Sequence, residues 1–195
     1  MKNRIAAALI AATAFAAPAM AQRAPAAVVV VVNTDRIYRE CNACRTAQTQ
    51  LQSQVATLRT RQQTLEGQLR PEGQAIQTAV NALAGKQPDA ALQNRVKAFE
   101  QRQNAANQEL AKGQQNIQSI QANVVRQINE RLQPVINQVM TTKGANLAVD
   151  EGSTLAHSQA TDATNDVLAA LNTALPTVSL TPLPQQQQQQ TPQGR

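Results

Sequence analysis

The chain has 195 residues, of which 42% are hydrophobic but only 2% aromatic, with 30 glutamines and a formal charge of +6. One histidine, together with the absence of Gly-x-x-x-x-Gly-Lys-Ser/Thr, Gly-x-Gly-x-x-Gly and Gly-x-Ser-x-Gly, excludes multi-imidazole metal sites, phosphate cradles and a nucleophile elbow. Composition therefore offers no catalytic, metal or cofactor-binding residues; its alanine, glutamine, leucine and arginine favour long helices over a thick aromatic core.

The first 21 residues read as a secretory signal peptide. Met1-Lys2-Asn3-Arg4 is basic, residues 5–17 are apolar apart from Thr13, and Ala19-Met20-Ala21 is a small-x-small end. The apolar part is too short to span a bilayer, so the mature chain is expected beyond the inner membrane. Losing Lys2 and Arg4 leaves a net charge of +4. That excess suits acidic partners but is too dispersed, and too poor in aromatics, for nucleic acid.

Val28, Val29, Val30, Val31 and Val32 predict a strand buried on both faces, with Asn33, Thr34 or Asp35 capping the helix that follows. From there a heptad runs through Ile37, Cys44, Leu51, Leu58, Leu65, Glu72 and Ala79. The interleaved series is Cys41, Gln48, Val55, Gln62, Leu69, Ile76 and Leu83. Eleven of these fourteen positions are apolar, which is a coiled-coil seam. Gly85-Lys86-Gln87-Pro88 breaks it, the glycine suiting a helix end and Pro88-Asp89 a helix start. The seam returns through Leu92, Phe99, Ala106, Gly113 and Ile120, interleaved with Val96, Gln103, Leu110, Ile117 and Val124. Its phase then slips through Ile128, Leu132, Val135 and Val139.

Two heptad helices joined by a short breaker predict an antiparallel hairpin over 51–124 with its tip near 85–88. At 1.5 Å per residue, residues 46–84 span roughly 55–60 Å, so most of the hairpin must project. Pro71, beside Gly73, predicts a kink there, either a fixed bend or a moving hinge. Reflection about the tip brings the valine strand to Asn146-Leu147-Ala148-Val149-Asp150, a second strand. The expected body is thus discontinuous, 22–50 with 125–175.

Thr154-Leu155-Ala156-His157 is expected as a third strand. Thr161-Asp162 should cap a helix burying Val167, Leu168 and Leu171. From Pro176 to Arg195 the spacing of prolines and the glutamine run 185–190 predict a disordered tail.

Cys41-Asn42-Ala43-Cys44 lacks the βαβ context of a redox centre, and both sulfurs fall on the seam. Buried small residues and a local disulfide stand equally; oxidation would distort a helical turn at that spacing. Asp150, Ser153 and His157 lie too close in sequence to converge as a triad, which leaves His157 an ordinary surface residue.

This order of parts resembles the Skp/OmpH family of periplasmic chaperones of outer-membrane proteins. The likeness rests on the valine strand followed by Asn33-Thr34-Asp35-Arg36-Ile37-Tyr38, the long hairpin, Asn146-Leu147-Ala148-Val149-Asp150, and Asp162-Ala163-Thr164-Asn165-Asp166-Val167-Leu168. It covers about residues 28–172. It implies a mainly α fold with a small β body, and a coiled-coil arm projecting from strands that form a trimeric β-barrel. It implies ATP-independent holding of unfolded outer-membrane β-barrel proteins in the periplasm. Val28–Val32 with Leu147, Ala148 and Val149 would then be the oligomerisation strands. Between Val55 and Val124 the arm carries eight basic and five acidic residues. Lys86, Arg95, Lys97 and Arg102 are the candidates for contact with acidic clients or lipopolysaccharide and other anionic lipid. The competing expectation is a secreted coiled-coil adaptor bridging envelope or secretion components.

Overall fold

The computed structural model describes residues 25–184; the expected signal peptide and residues 185–195 of the tail lie outside them. Within this range the element order is β1 (Val29–Val32), α1 (Thr34–Glu40), α2 (Asn42–Ala82), α3 (Ala90–Thr142), β2 (Leu147–Asp150) and α4 (Thr164–Ala174). Two single 3₁₀ turns, Glu151–Ser153 and Gln159–Thr161, link β2 to α4.

The helices α2 and α3 form an antiparallel hairpin, as their cross-contacts show. Leu58 meets Gly113, Arg61 pairs with Glu109, and Gly73 meets Phe99, so residue numbers rise along α2 as those facing them fall along α3. At the tip Ala84 and Gly85 take positive φ, 47° and 90°, and reverse the chain. Glycine tolerates this freely, whereas the alanine costs about 1 kcal/mol. Asp89 then caps α3, accepting from the Leu92 amide at 2.8 Å.

Apolar seam positions give this contact its large-against-small character. Leu65, Ile76 and Ala106 are buried, and Leu58 is half-buried against Gly113. Val55, expected on the seam, is 41% exposed instead, and Gln48, Gln62 and Gln103 also face solvent. A two-helix seam can cover only part of each helix, so these positions sit at its rim. Glu72 stays on the seam because Arg102 across the hairpin neutralises it.

Expected heptad continuity from Ile37 fails at Cys41, which has φ −59° and ψ 141° and separates α1 from α2. The Cys41–Cys44 disulfide closes this break, with Cα atoms 5.0 Å apart. Both cysteines are buried, so the two alternatives left open by the sequence are realised together.

The body forms around the root of α3. Ile120, Val124, Ile128, Leu132, Val135 and Val139 make its buried stripe, which leaves the heptad after Val124 and follows the slipped phase. Against it pack β1, Ile37 of α1, and Ala163, Val167 and Leu171 at the start of and within α4. Pro134 lies inside α3, which nevertheless continues to Thr142.

β1 and β2 are parallel, in register from Val29 with Leu147 to Val32 with Asp150. The third segment beside β1 is not Thr154–His157, which is irregular. It is Asp162–Ala163: Val31 bridges Asp162, and the Ala163 amide donates to the Val31 carbonyl at 2.8 Å. The 3₁₀ turns Glu151–Ser153 and Gln159–Thr161 take up the intervening chain.

Candidate functional site

Three surfaces carry chemistry: the two edges of the small sheet, the outside of the arm, and a peptide seat on α3. The sheet surface differs from expectation. Val30, Val31 and Val32 are at most 5% exposed within one chain, covered by β2 on one side and Asp162–Ala163 on the other. The valine strand is therefore central and needs no second subunit to bury it. Exposure falls on Val28, just before β1, and Leu147 of β2, at 46% and 47%. Ala148 and Val149 are half-buried, and β2 has no further strand partner among the described residues.

The strand ends are fixed by a polar cluster. Asn33 caps α1, accepting from the Arg36 amide at 2.6 Å, and donates through its side chain to Glu151. The Thr34 hydroxyl donates to Asp150, which also accepts from the Gly152 amide at 2.9 Å. These donors hold the Asp150 carboxyl below the usual carboxylate range. His157 joins the same cluster through Nε2, 3.0 Å from Glu151, and this bond raises its pKa above the ordinary histidine value. It is thus a half-buried partner rather than the ordinary surface residue expected. No hydrogen bond joins Ser153 to His157 among the described residues.

The arm's outer face is polar. Arg61 grips Glu109 across the hairpin with two bonds, at 2.6 and 3.1 Å. The four basic candidates do not form one patch. Lys86 sits exposed in the tip, while Arg95 and Lys97, also exposed, are separated by roughly 200° around α3. Arg102 is taken up by Glu72 and by the Ala98 carbonyl at 3.3 Å. Pro71 is exposed inside an uninterrupted α2, and Gly73 has a packing reason of its own. A Cβ there would stand 3.1 Å from Cζ of Phe99.

An apolar cleft of about 630 Å³ opens at the arm's root between Tyr38, Leu51, Val55, Val124, Val125 and Ile128. Among the described residues there is no cluster suited to a metal ion and no helix long and apolar enough to cross a membrane.

The peptide seat lies where disorder was expected. Residues 176–184 run back along α3 toward the tip, with Val178 and Leu180 packed on the core and Ser179 and Thr181 outward. Gln127 bonds the Ser179 main chain twice, accepting from its amide and donating to its carbonyl, both at 2.9 Å. Asn123 donates to the Thr181 carbonyl at 2.8 Å, and the Leu183 amide donates to Ser119 Oγ at 2.8 Å. The Val-Ser-Leu-Thr alternation and the four-residue spacing of Ser119, Asn123 and Gln127 were the available signals. Proline content masked them.

The Outer membrane protein (OmpH-like) family model matches residues 28–171. Among curated protein sequences none matches significantly. A crystal structure from Caulobacter crescentus CB15, titled as an OmpH-like outer membrane chaperone, superposes with a TM-score of 0.68 at 16% identity. The match covers 84% of this chain and 95% of that one. At that identity it speaks for the fold, a mainly helical one with a two-stranded sheet. The family match spans both strands, the whole arm and nearly all of α4: the chain belongs to the OmpH-like outer membrane protein family.

Proposed function

We propose that the protein is a periplasmic chaperone that holds unfolded outer-membrane β-barrel proteins without ATP. The arm carries this reading. Before Ile120, the first residue of the body's buried stripe, α3 extends about 45 Å at 1.5 Å per residue, paired along its length with α2. Its surface of alanine, glutamine and spaced cations offers many weak contacts. An unfolded barrel protein exposes aggregating strands, and keeping each molecule among such arms separates it from others. Multiple weak contacts hold collectively while each releases quickly, so folding of the client into its membrane can drive departure.

Three copies, as the family resemblance implies, would place three arms around one client. Val28, Leu147 and the outer edge of β2 are the surface left for such an assembly, since an exposed apolar edge invites pairing. Of the four candidates, Lys86, Arg95 and Lys97 stay open to acidic clients or lipid phosphates, and Arg102 is withdrawn by its pairing.

The test dilutes a urea-unfolded outer-membrane barrel protein into the purified mature chain and follows turbidity and complex mass. Suppressed turbidity with three chains per client supports the proposal. Unchanged precipitation refutes it and favours the adaptor.

A further inference from the structure

We infer that the Ser119–Asn123–Gln127 row of α3 is a seat for one extended strand of a client, and that residues 178–183 occupy it as a displaceable stand-in. The inference rests on the chaperone reading and specifies where one client segment would lie. Its basis is a match of two repeats. Every fourth residue of a helix advances about 6.0 Å, and every second residue of an extended chain about 6.6 Å. Side chains at 119, 123 and 127 therefore meet main-chain groups at 183, 181 and 179 in turn. The small mismatch is absorbed by the flexible glutamine.

All these bonds go to the occupant's main chain, so they carry no requirement for a particular sequence. What the seat does require is a pattern. Val178 and Leu180 face the core while Ser179 and Thr181 face outward, an apolar residue at every second position. Strands of transmembrane barrels have that same period.

The seat is also held ready. Arg126 donates to Asn123 Oδ1 at 2.9 Å and is itself paired with Glu130 at 2.6 Å. This fixes the Asn123 amide with its nitrogen toward the occupant. Asn123 and Ser119 are each 5% exposed with the strap in place. Meanwhile Pro176, Pro182 and Pro184 each lack an amide donor, which makes the seated strap a poor template for further strands. Toward the tip the next position at this spacing is exposed Gln115, one further polar group for a longer client segment, and Ala111 then ends the row.

A strap tethered to its own seat competes with any client, and apparent affinity falls by the fraction of time the seat is open. Two full-length variants separate this from a mere brace. Val178→Ser with Leu180→Ser frees the strap and leaves the seat; Asn123→Ala with Gln127→Ala frees the strap and removes the seat. Hydrogen exchange at the Ser179 and Leu183 amides reports release in both. Client binding is read from the tryptophan fluorescence of an unfolded barrel protein, since this chain has no tryptophan. The first variant should bind more tightly than the unaltered chain, roughly tenfold if the strap is seated nine-tenths of the time. The second should bind more weakly than the first. A synthetic peptide of residues 176–184 should displace client from the unaltered chain but not from the second variant, a readout that stands even if the first variant folds poorly. Equal client affinity in the two variants, or no displacement by the peptide, overturns the inference. If the unaltered chain binds no unfolded barrel protein at all, the chaperone reading itself has failed.

Discussion

Gly113 gives the sharpest test of how the arm is packed. In the middle of a helix, glycine to alanine normally stabilises by about 1 kcal/mol through backbone entropy. At Gly113, however, an added Cβ would stand 2.6 Å from Cδ1 of Leu58 on the facing helix, with Cδ2 at 3.4 Å. Ordinary carbon contacts lie near 3.5–4.0 Å, so Leu58 must leave its rotamer or the helices must part, at about 1–3 kcal/mol. The net expectation for Gly113→Ala is a loss of about 1 kcal/mol. In α2, Gly67 supplies the control, since nothing lies within 4 Å of its Cβ position; Gly67→Ala should gain about 1 kcal/mol.

The Leu58→Ala background completes the cycle. There the obstruction is gone, and Gly113→Ala should recover its helix-propensity gain of about 1 kcal/mol, giving a coupling of about 2 kcal/mol between the two positions. Urea unfolding followed by far-ultraviolet circular dichroism, at one fixed protomer concentration, measures all five proteins. If Gly113→Ala stabilises as much as Gly67→Ala, the two helices do not meet in this register and the seam argument falls.

In the body, Leu171→Ala should cost about 2–5 kcal/mol in the same assay, because Leu171 has no exposed surface and its helix α4 packs on α3, α1 and β1. Replacing both Cys41 and Cys44 by serine should cost about 2 kcal/mol by the loop-closure relation for so short a loop, and dithiothreitol should make the original chain match the variant. The raised pKa of His157 means the folded state holds its proton more tightly than the unfolded state. Stability from the Glu151 pair is fully present below the unfolded value near 6.5 and is lost as pH rises through the higher folded value. Glu151→Gln should therefore narrow its stability gap to the unaltered chain between pH 6 and pH 9. A constant gap would remove the pair from the account.

The parts legible in the sequence were those in which one residue pattern had one use. The seam from Leu51 to Leu83, the tip at Gly85 and the slipped stripe from Ile128 to Val139 follow directly from helical periodicity, because a helix carries its own hydrogen bonds. Strands lack that autonomy. Five consecutive valines announce a buried strand but not what buries it, and the cover turned out to be Asp162–Ala163, a segment with no strand pattern of its own. The helix break at Cys41 was hidden for a different reason: cysteine fits a seam position and a disulfide equally well, and only the oxidised pairing interrupts the heptad.

The tail shows where composition misleads. Prolines at 176, 182 and 184 argue against helix and against a sheet ladder, and the inference to disorder takes the further step that no other partner exists. An extended chain with few donors can still be held if another element supplies the polar groups. On α3, Gln127, Asn123 and Ser119 do so, and they stand in a part of the helix whose neighbouring face, Ile120, Val124 and Ile128, is already committed to the core. Polar residues at every fourth position beside a buried stripe are thus ambiguous in a glutamine-rich helix: most are solvated, and a few are receptors. What separates the two here is an amphipathic four-residue alternation, Val178 to Thr181, more than fifty residues away in the chain. Neither half of that pair carries meaning alone, which is why a reading that moved along the sequence passed over the first and assigned the second to a tail.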